Sequence, residues 1–310
     1  MRGYTVGVDV GGTNIKFGLV NSQGKVVARY HLNTKSYGLR KNELVKVLVG
    51  AIDALLKENN ISRNHVAGIG IGLPGLIDPV KGVVHFLPNI PGWRKVPLKN
   101  IFEKGLGIKT FLENDVNLIT LGEWKFGAGR GAKNMVCMTL GTGVGGGLIF
   151  NNRLYRGEGF VAGEIGHMPL NENGSDCGCG GYACLERYVG NRYILKKAAK
   201  IFRRPTIDFP DIRRLSRQGD KRARLFWKEM ATHIGNGLVG IVNLLNPTLI
   251  VIGGGVSNNY RFLFPTIRRV IKKRAMPVQA SMVKIVRAKL GDEAGIIGAN
   301  VLVHHAAQTQ

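Results

Sequence analysis

A short segment in the middle of the chain gathers one imidazole and three thiols. His167 stands ten positions before Cys177-Gly-Cys179, and Cys184 follows closely. Three thiolates and one imidazole complete a tetrahedral shell around Zn²⁺ and leave no open coordination position. The spacing therefore predicts a structural zinc site that shapes a loop and takes no part in catalysis. The alternative is that these cysteines are ordinary buried residues or form a disulfide.

Two carboxylates, Glu164 and Glu186, stand at the edges of this segment. Taken singly, each would be interpreted as an exposed charge, Glu164 at the start of a helix. Because they flank a metal-binding pattern on both sides, we expect them to belong to a functional site.

Two glycine turns, each placed between apolar runs, form a second pattern. Tyr4 to Val10 runs into Gly11-Gly12-Thr13-Asn14 and a further strand, and Met135 to Leu140 runs into Gly141-Thr142-Gly143 and a further strand. The repetition indicates an internal duplication. Successive backbone N–H groups in such turns form concavities that bind phosphate oxygens. We therefore expect two phosphate-binding turns that together hold a triphosphate.

The surroundings of the first turn add detail to this expectation. Asp9 lies next to the end of the preceding strand and is placed to hold a magnesium ion, through water, because Mg²⁺ keeps much of its hydration shell. Neither turn opens a helix, so the pattern disfavours a nicotinamide-binding Rossmann domain.

The elements that position these residues alternate along the chain. The hydrophobic pattern predicts a helix over Asn42 to Asn59 and a buried strand over Val66 to Gly72 that leads to Pro74-Gly75. It predicts further helices and strands after these; the segments are Thr110 to Glu113 (strand), Val116 to Lys125 (helix), Ala231 to Leu245 (helix), Leu249 to Ile252 (strand) and Ala294 to His305 (helix). This alternation indicates an α/β protein.

Composition restricts the class of protein. The chain has 310 residues, 44% of them hydrophobic, and no apolar run approaches the roughly 20 residues that span a bilayer. The strand-like pattern begins at the N-terminus, which leaves no room for a signal peptide, so we expect a cytoplasmic protein without membrane partners. Cys137 lies alone in an apolar strand and is expected to be a core residue.

The net charge of +24 is unusual and is concentrated in two tracts. Arg187 to Arg224 holds thirteen Lys or Arg against three Asp, and Arg261 to Lys289 holds nine with no acidic residue. The sequence contains no recognisable nucleic-acid-binding module, so specific DNA or RNA binding is not indicated. We interpret the tracts as a solvated basic face. Non-specific attraction of polyanions is the alternative.

The motifs, in their order, resemble those of the ROK family of sugar kinases and repressors. The resemblance runs from about Val6 to beyond Gly253, and it rests on the segments Asp9 to Asn14, Leu73 to Gly75, Pro88-Asn89, Glu113 to Asn117, Leu140 to Gly143, Glu164 to His167, Cys177 to Gly180 and Cys184 to Glu186. The resemblance implies an actin-like ATPase (ribonuclease H-like) fold with two α/β domains around a cleft. We expect a small domain over 1–117 with a closing helix at 295–310, and a large domain over 118–294 that carries the zinc loop.

The resemblance also implies an activity, the ATP-dependent phosphorylation of a hexose. Asp115 is our choice for the catalytic base, since phosphoryl transfer to a hydroxyl needs a carboxylate that accepts the proton and holds the oxygen in line. A helix N-cap is the structural alternative for Asp115. The residues expected to bind the sugar are Gly75, Asn89, Asn114, Asp115, Glu164, His167 and Glu186. Those expected to bind the nucleotide, with Mg²⁺, are Asp9, Gly11, Gly12, Thr13, Asn14, Lys16, Gly141, Thr142, Gly143, Gly254 and Gly255.

Within the family, the segment Leu87 to Trp93 resembles the sugar loop of the glucokinases, so glucose, phosphorylated at its 6-hydroxyl, is the expected substrate. Kinases for N-acetylmannosamine, N-acetylglucosamine, fructose or allose share the other motifs and stay open, as does inorganic polyphosphate as the donor. The repressors carry an added N-terminal DNA-binding domain, and this chain begins at the first phosphate turn, so a repressor is not expected. A sugar sensor without turnover is the alternative outside the enzymes. The resemblance further implies a homodimer.

Overall fold

The computed structural model describes residues 3–11, 14–33, 41–87 and 92–308. Within these residues the strands alternate with helices, as the sequence predicts. The strands are β1 (Tyr4–Val10), β2 (Asn14–Asn21), β3 (Val26–Asn33), β4 (Val66–Leu73), β5 (Leu76–Asp78), β6 (Val83–Phe86), β7 (Arg94–Val96), β8 (Thr110–Asn114), β9 (Met135–Leu140), β10 (Val144–Phe150), β11 (Arg153–Tyr155), β12 (Leu249–Gly253) and β13 (Lys284–Arg287).

The helices occupy the segments between the strands. They are α1 (Lys41–Glu58), α2 (Leu98–Leu106), α3 (Asp115–Lys125), α4 (Leu185–Val189), α5 (Asn191–Phe202), α6 (Phe209–Arg217), α7 (Lys221–Leu245), α8 (Tyr260–Arg274), α9 (Pro277–Met282) and α10 (Ala294–Gln308). The longest, α7, begins ten residues before the predicted Ala231, because the side chain of Asp220 caps it by accepting from the backbone N–H groups of Arg222 and Ala223. Among the described residues, the structure has no helix that is both long and apolar enough to cross a membrane.

The chain divides into two compact units. The first comprises Met1–Gly131, Leu154–Ala162 and Leu290–Gln310, and the second comprises Ala132–Arg153 and Gly163–Lys289. The division expected from the sequence differs, because it ended the first domain at residue 117, inside α3.

Each unit is built on a five-stranded sheet, and the two sheets repeat one topology. The first has the order β3-β2-β1-β4-β8 and the second the order β11-β10-β9-β12-β13. In the first, β1 pairs antiparallel with β2 and parallel with β4. In the second, β9 pairs antiparallel with β10 and parallel with β12. The repeat agrees with the internal duplication indicated by the two glycine turns. A small antiparallel sheet, β5-β6-β7, completes the first unit.

The core of the first unit explains why its central strand β1 is mostly apolar. Helix α10 packs across β1 and β4, and α1 packs against β2 and β3. Alternate residues of β1, Val6, Val8 and Val10, are fully buried, and Thr5 and Gly7 on the opposite face are buried as well. Strands covered on both faces are expected to be continuous apolar runs of this kind.

Helices α3 and α10 approach each other unusually closely. A Cβ at Gly298 of α10 would lie 1.7 Å from the carbonyl oxygen of Leu118 in α3, so only glycine allows this crossing. The close crossing explains why α3 belongs to the first unit. It also fixes the start of α3 relative to the start of α10, and both starts carry residues of the candidate site.

Candidate active site and metal cluster

The predicted base, Asp115, is the first residue of α3 and directly follows β8. The N-cap of α3 is Asn114, whose Oδ1 accepts from the backbone N–H groups of Val116 (2.9 Å) and Asn117 (3.2 Å). The alternative that Asp115 itself caps the helix is therefore wrong. Its Oδ1 does accept from the N–H of Val116 at 2.9 Å, which orients the carboxylate at the end of the strand. Since the Asn114 Oδ1 is engaged in capping, its Nδ2 amino group is the part suited to a ligand.

A buried carboxylate, Glu113, supports the junction between β8 and α3. The Glu113 side chain is 3% exposed, and its Oε2 accepts from Nε of Arg156 at 2.6 Å. Its Oε1 accepts from the backbone N–H of Asn114 and from Nδ2 of Asn117, both at 3.0 Å. A carboxylate that is fully paired and hydrogen-bonded in this way holds its partners in one arrangement. Arg156 thus acts on the start of α3, where Asp115 lies, through Glu113.

Arg156→Met is expected to destabilise the fold, because it leaves the Glu113 charge buried without its cation. The cost should be about 3 kcal/mol, the low end for breaking a buried pair, since the Arg156 side chain is 30% exposed. Urea unfolding measures the change. Arg153→Met serves as the control, because Arg153 is exposed and has no carboxylate within 4 Å among the described residues. Equal stability of the two variants would contradict a supporting role for Arg156.

The first glycine turn is closed by a hydrogen bond from Gly11 N–H to the carbonyl of Asn14 at 3.0 Å. Asp9 and Lys16 are opposite each other on β1 and β2. The Lys16 Nζ lies 3.1 Å from Oδ1 of Asp292, an exposed carboxylate. Burial raises the pKa of Asp9 above its ordinary value, while the charge of Lys16 opposes this rise and that of Asp292 adds to it. A divalent cation would offset the burial of this carboxylate.

The start of α10 packs directly on Asp9. A Cβ at Gly295 would lie 3.0 Å from both Cγ and Oδ2 of the Asp9 side chain. The absence of a side chain at residue 295 therefore sets where the Asp9 carboxylate lies.

The second glycine turn is supported by one of the predicted sugar-binding carboxylates. Oε2 of Glu186 accepts from the backbone N–H of Val144 at 2.8 Å, and a Cβ at Gly143 would lie 2.4 Å from that oxygen. Gly141 N–H bonds to the carbonyl of Gly143 at 2.9 Å and closes the turn. Thr142 lies within this turn. Gly254 stands beside it, because a Cβ at Gly254 would lie 2.3 Å from the carbonyl oxygen of Leu140, the last residue of β9. Gly255 follows Gly254.

The four predicted metal ligands meet in the second unit. The ligand atoms of His167, Cys177, Cys179 and Cys184 all lie within 4.8 Å of one another. Nδ1 of His167 is 3.8 Å from Sγ of Cys177, and Sγ of Cys179 is 3.7 Å from Sγ of Cys184. Zn–S bonds of about 2.3 Å in a tetrahedron place the ligand atoms a little under 4 Å apart. The geometry and the donor set therefore fit zinc.

Local backbone structure accounts for the convergence. The N–H of Cys177 bonds to the carbonyl of Gly181 at 2.7 Å, which folds the Cys-Gly-Cys segment into a tight turn. A bridge between Pro169 and Cys184 brings the last thiol back to the segment that follows His167. These two contacts gather ligands that are up to 17 positions apart.

The thiols differ in their electrostatic surroundings. Hydrogen bonding, chiefly from the backbone of Gly181, lowers the pKa of Cys179. Burial raises the pKa of Cys184 to about 12. A buried thiol of this kind becomes a thiolate when a metal supplies the compensating charge.

His167 presents its two ring nitrogens to different surroundings. Nδ1 faces the Cys177 sulfur, and Nε2 lies 3.9 Å from Oε2 of Glu164. The Glu164 side chain is 62% exposed and that of His167 is 34% exposed, so both remain accessible to a ligand. The histidine thus links the group of four candidate metal ligands to an open polar surface that carries a carboxylate.

The described structure divides the predicted residues between the two units. In the first are Asp9, Gly11, Asn14, Lys16, Gly75, Asn114 and Asp115, and in the second are Gly141, Thr142, Gly143, Glu164, His167, Cys177, Cys179, Cys184, Glu186, Gly254 and Gly255. Gly75 follows β4 with φ of +121°, a conformation that favours glycine. Gly12, Thr13 and Asn89 lie outside the described residues.

Sequence reasoning missed two residues that position this site, Arg156 and Gly295. Each acts on a partner far away in sequence, 43 positions in the case of Arg156 and Glu113. The signal available in the sequence was the Glu113 to Asn117 motif, in which a glutamate just before the base could have prompted a search for its cation.

Comparison with known proteins gives consistent matches over nearly the whole chain. The model of the ROK family matches residues 5–306. The glucokinase of Streptomyces coelicolor is 33% identical over 96% of this chain and 96% of its own length. The crystal structure of a ROK family glucokinase from Streptomyces griseus in complex with glucose and AMPPNP superposes with a TM-score of 0.82, at 31% identity over 98% of this chain and 100% of the other.

A regulator is also similar. The xylose repressor of Caldicellulosiruptor bescii is 30% identical over 97% of this chain, which corresponds to 78% of the repressor. The proteins similar to this chain therefore include both kinases and repressors.

Proposed function

We propose that this protein, which belongs to the ROK family and has the actin-like ATPase fold expected from its motifs, is an ATP-dependent hexose kinase acting on glucose. Family and fold confirm the predictions made from the sequence. The 33% identity to a glucokinase along nearly its full length supports the choice of substrate.

The observation that carries the proposal is the position of Asp115. The carboxylate stands at the junction of β8 and α3, oriented by the Val116 N–H and supported through Asn114 and the buried Glu113. A carboxylate so placed accepts the proton of the 6-hydroxyl as that oxygen attacks the γ-phosphorus of ATP. The bond between the γ-phosphorus and the β,γ-bridging oxygen breaks, and ADP leaves. The products are hexose 6-phosphate and ADP.

The other candidate residues take supporting roles in this proposal. The turns that begin at Gly11 and at Gly141 bind phosphate oxygens through backbone N–H groups other than those of Gly11 and Gly141, which close the turns. Asp9 holds Mg²⁺, which supplies charge neutralisation on the transferring phosphates when it is bound. Asn114 in the first unit and the exposed polar surface of Glu164 and His167 in the second are each suited to bond a sugar hydroxyl.

In the proposed site, zinc is structural. His167 and the three cysteines would hold it, and its charge and geometry would orient the imidazole. The chemistry then falls to residues outside the metal cluster. Glu186 connects the zinc ligands with the second phosphate turn. Its carboxylate accepts from the Val144 N–H at the end of that turn, and it lies two residues after the Cys184 ligand.

The test is the release of ADP by the purified protein with Mg-ATP across a panel of glucose, mannose, fructose, allose, N-acetylmannosamine and N-acetylglucosamine. We expect the highest kcat/KM with glucose. Replacing ATP by polyphosphate, at low and at high salt, decides the donor. Sugar binding without turnover for every sugar would instead support the sensor alternative, which the similarity to a xylose repressor favours. The homodimer and the cytoplasmic location stay predictions.

Gly295→Ala should lower kcat/KM for Mg-ATP by about tenfold, because small displacements of a charge-positioning group cost at least this much. The added methyl group would press on the Asp9 carboxylate. Gly50→Ala is the matched control: Gly50 is exposed in α1 and has open space at its Cβ position. That variant should gain up to about 1 kcal/mol of stability and keep its kinetics. Unchanged kinetics in Gly295→Ala would rule out this positioning role.

A further inference from the structure

A cavity at the start of α5 is lined by cationic side chains. Its volume is about 350 Å³, and its lining residues are Arg187, Arg192, Tyr193 and Lys196. This volume is at the small end of the range for ligand pockets, about 300–1,000 Å³. Three of the four lining residues carry a positive charge, and none carries a negative one.

The charges in the cavity are not neutralised by the protein. Among the residues that the structure describes, no carboxylate lies within 4 Å of a nitrogen of these three cations. By contrast, Lys197 on the next face of α5 pairs with Glu229. The first turn of α5 adds positive potential, because it has no acidic residue and no side-chain cap.

The guanidinium of Arg187 is held in place for binding. Its centre lies 4.0 Å from the centroid of the Tyr193 ring, and its Nε donates to Oγ of Ser175 at 3.0 Å. Stacking and this single hydrogen bond leave the two terminal nitrogens to donate to a ligand. Because part of the side-chain freedom of Arg187 is already lost, a ligand orders it at lower cost.

The number of positive charges in the cavity and the distance between them indicate the kind of ligand. A single phosphate monoester carries about −1.5 to −2 charges at neutral pH, fewer than three cations can neutralise. Arg192 and Lys196 are one helical turn apart, about 6 Å along the axis of α5. A chain of two or three phosphoryl groups matches both the charge and the separation.

Nucleic acid fits the cavity less well. Proteins that bind single strands stack the bases on aromatic rings. The Arg187 guanidinium covers a face of Tyr193, which is the aromatic residue of the lining. A phosphate chain without a need for base stacking is therefore favoured.

The helix that lines the cavity, α5, is also hydrogen-bonded to the second glycine turn. The backbone N–H of Asn191, the first residue of α5, bonds to the carbonyl of Gly141 at 3.0 Å. Arg192 is the next residue along the chain.

From these observations we propose that Arg187, Arg192 and Lys196 form an oligophosphate-binding pocket, which takes a chain of two or three phosphoryl groups. The chain can come from an inorganic oligophosphate or from a nucleoside di- or triphosphate. The pocket lies outside the residues predicted to bind the sugar, the nucleotide or zinc. Its binding is measured without sugar, so it stands or fails separately from kinase activity.

The experiment is titration calorimetry of the full chain at near-physiological salt with tripolyphosphate, ATP, inorganic phosphate and a thymidine oligonucleotide. We expect tripolyphosphate to bind more tightly than inorganic phosphate, and the double variant Arg192→Gln, Lys196→Gln to weaken its binding by about tenfold or more. Weakening of ATP binding by the same factor would assign the phosphate chain to a nucleotide, and unchanged ATP binding would assign it to an inorganic oligophosphate.

The matched control is Lys272→Gln, Lys273→Gln, which removes the same charge from exposed positions at the end of α8. It should retain the wild-type affinity for tripolyphosphate. Equal weakening in both double variants would show a general charge effect and overturn the pocket. Oligonucleotide binding as tight as that of tripolyphosphate, lost in the same variant, would overturn the choice of ligand. Arg187→Gln provides a second, independent variant.

Discussion

Asp115→Asn should reduce kcat by about 10²- to 10⁴-fold, the range expected for loss of a general base. The amide has nearly the shape of the carboxylate, and its Oδ1 can still accept from the Val116 N–H, so the start of α3 should be preserved. The amide does not accept the proton of the sugar hydroxyl. Steady-state kinetics with Mg-ATP and glucose measure kcat, and calorimetry measures sugar affinity, which should change little.

A control for this variant is available in another helix. Asp211 also lies in the first turn of its helix, α6, and its side chain is 36% exposed. Asp211→Asn should leave kcat unchanged, since it removes an ion pair with Arg214 on the surface. A near-normal rate in Asp115→Asn would exclude Asp115 as the base. A loss of sugar affinity that accounts for the whole defect would assign it a binding role instead.

Cys179→Ser should release the metal and weaken sugar binding together. A serine hydroxyl is a poor replacement for one of three thiolates, and structural zinc sites depend on the complete shell. Without the metal at Nδ1, the His167 ring is no longer held in one orientation, so its Nε2 side loses its alignment with a sugar hydroxyl. We expect about a tenfold weaker sugar affinity, because bonds to a misaligned group are lost.

Elemental analysis gives the metal content and calorimetry gives the sugar affinity. Cys137→Ala is the control, because Cys137 is a buried residue of β9 and does not belong to the cluster. That variant should keep one metal ion for each chain. A metal-free Cys179→Ser protein with unchanged sugar affinity would separate the cluster from the sugar site. A Cys179→Ser protein that keeps its metal would show that Cys179 is not an essential ligand.

The chain's local patterns were sufficient to predict the strands around both glycine turns and several of the helices. The glycine turns between apolar runs indicated the duplicated strands, and the repeated sheet order of the two units agrees with that interpretation. The cysteine spacing pointed to ligands that the structure does bring together. These predictions depend on backbone preferences and short-range spacing, which are properties of neighbouring residues.

The helix boundaries and caps were less predictable. Asn114 and Asp115 are both favourable N-cap residues, and the sequence could not distinguish them. In the structure Asn114 is the N-cap, because β8 pairs with β4 as far as that residue and the helix begins directly after it. The Asp115 carboxylate is therefore not needed to cap α3 and is available for the proposed role of base.

By itself, the sequence determined the α/β class, and it predicted the two phosphate turns, the metal ligands and Asp115 as the base. Only the tertiary structure showed that Arg156 supports Asp115 through Glu113 and that Gly295 lies against Asp9. It also showed that Arg187, Arg192 and Lys196 surround one cavity within a basic tract that had been interpreted as a solvated face. Arg156 and Glu113, like Gly295 and Asp9, are far apart in the chain. These pairs form only when whole helices and strands pack against each other. Likewise, the sequence shows that basic residues are close together in the chain. Only the fold shows that they line one cavity and that no carboxylate of the described residues pairs with them.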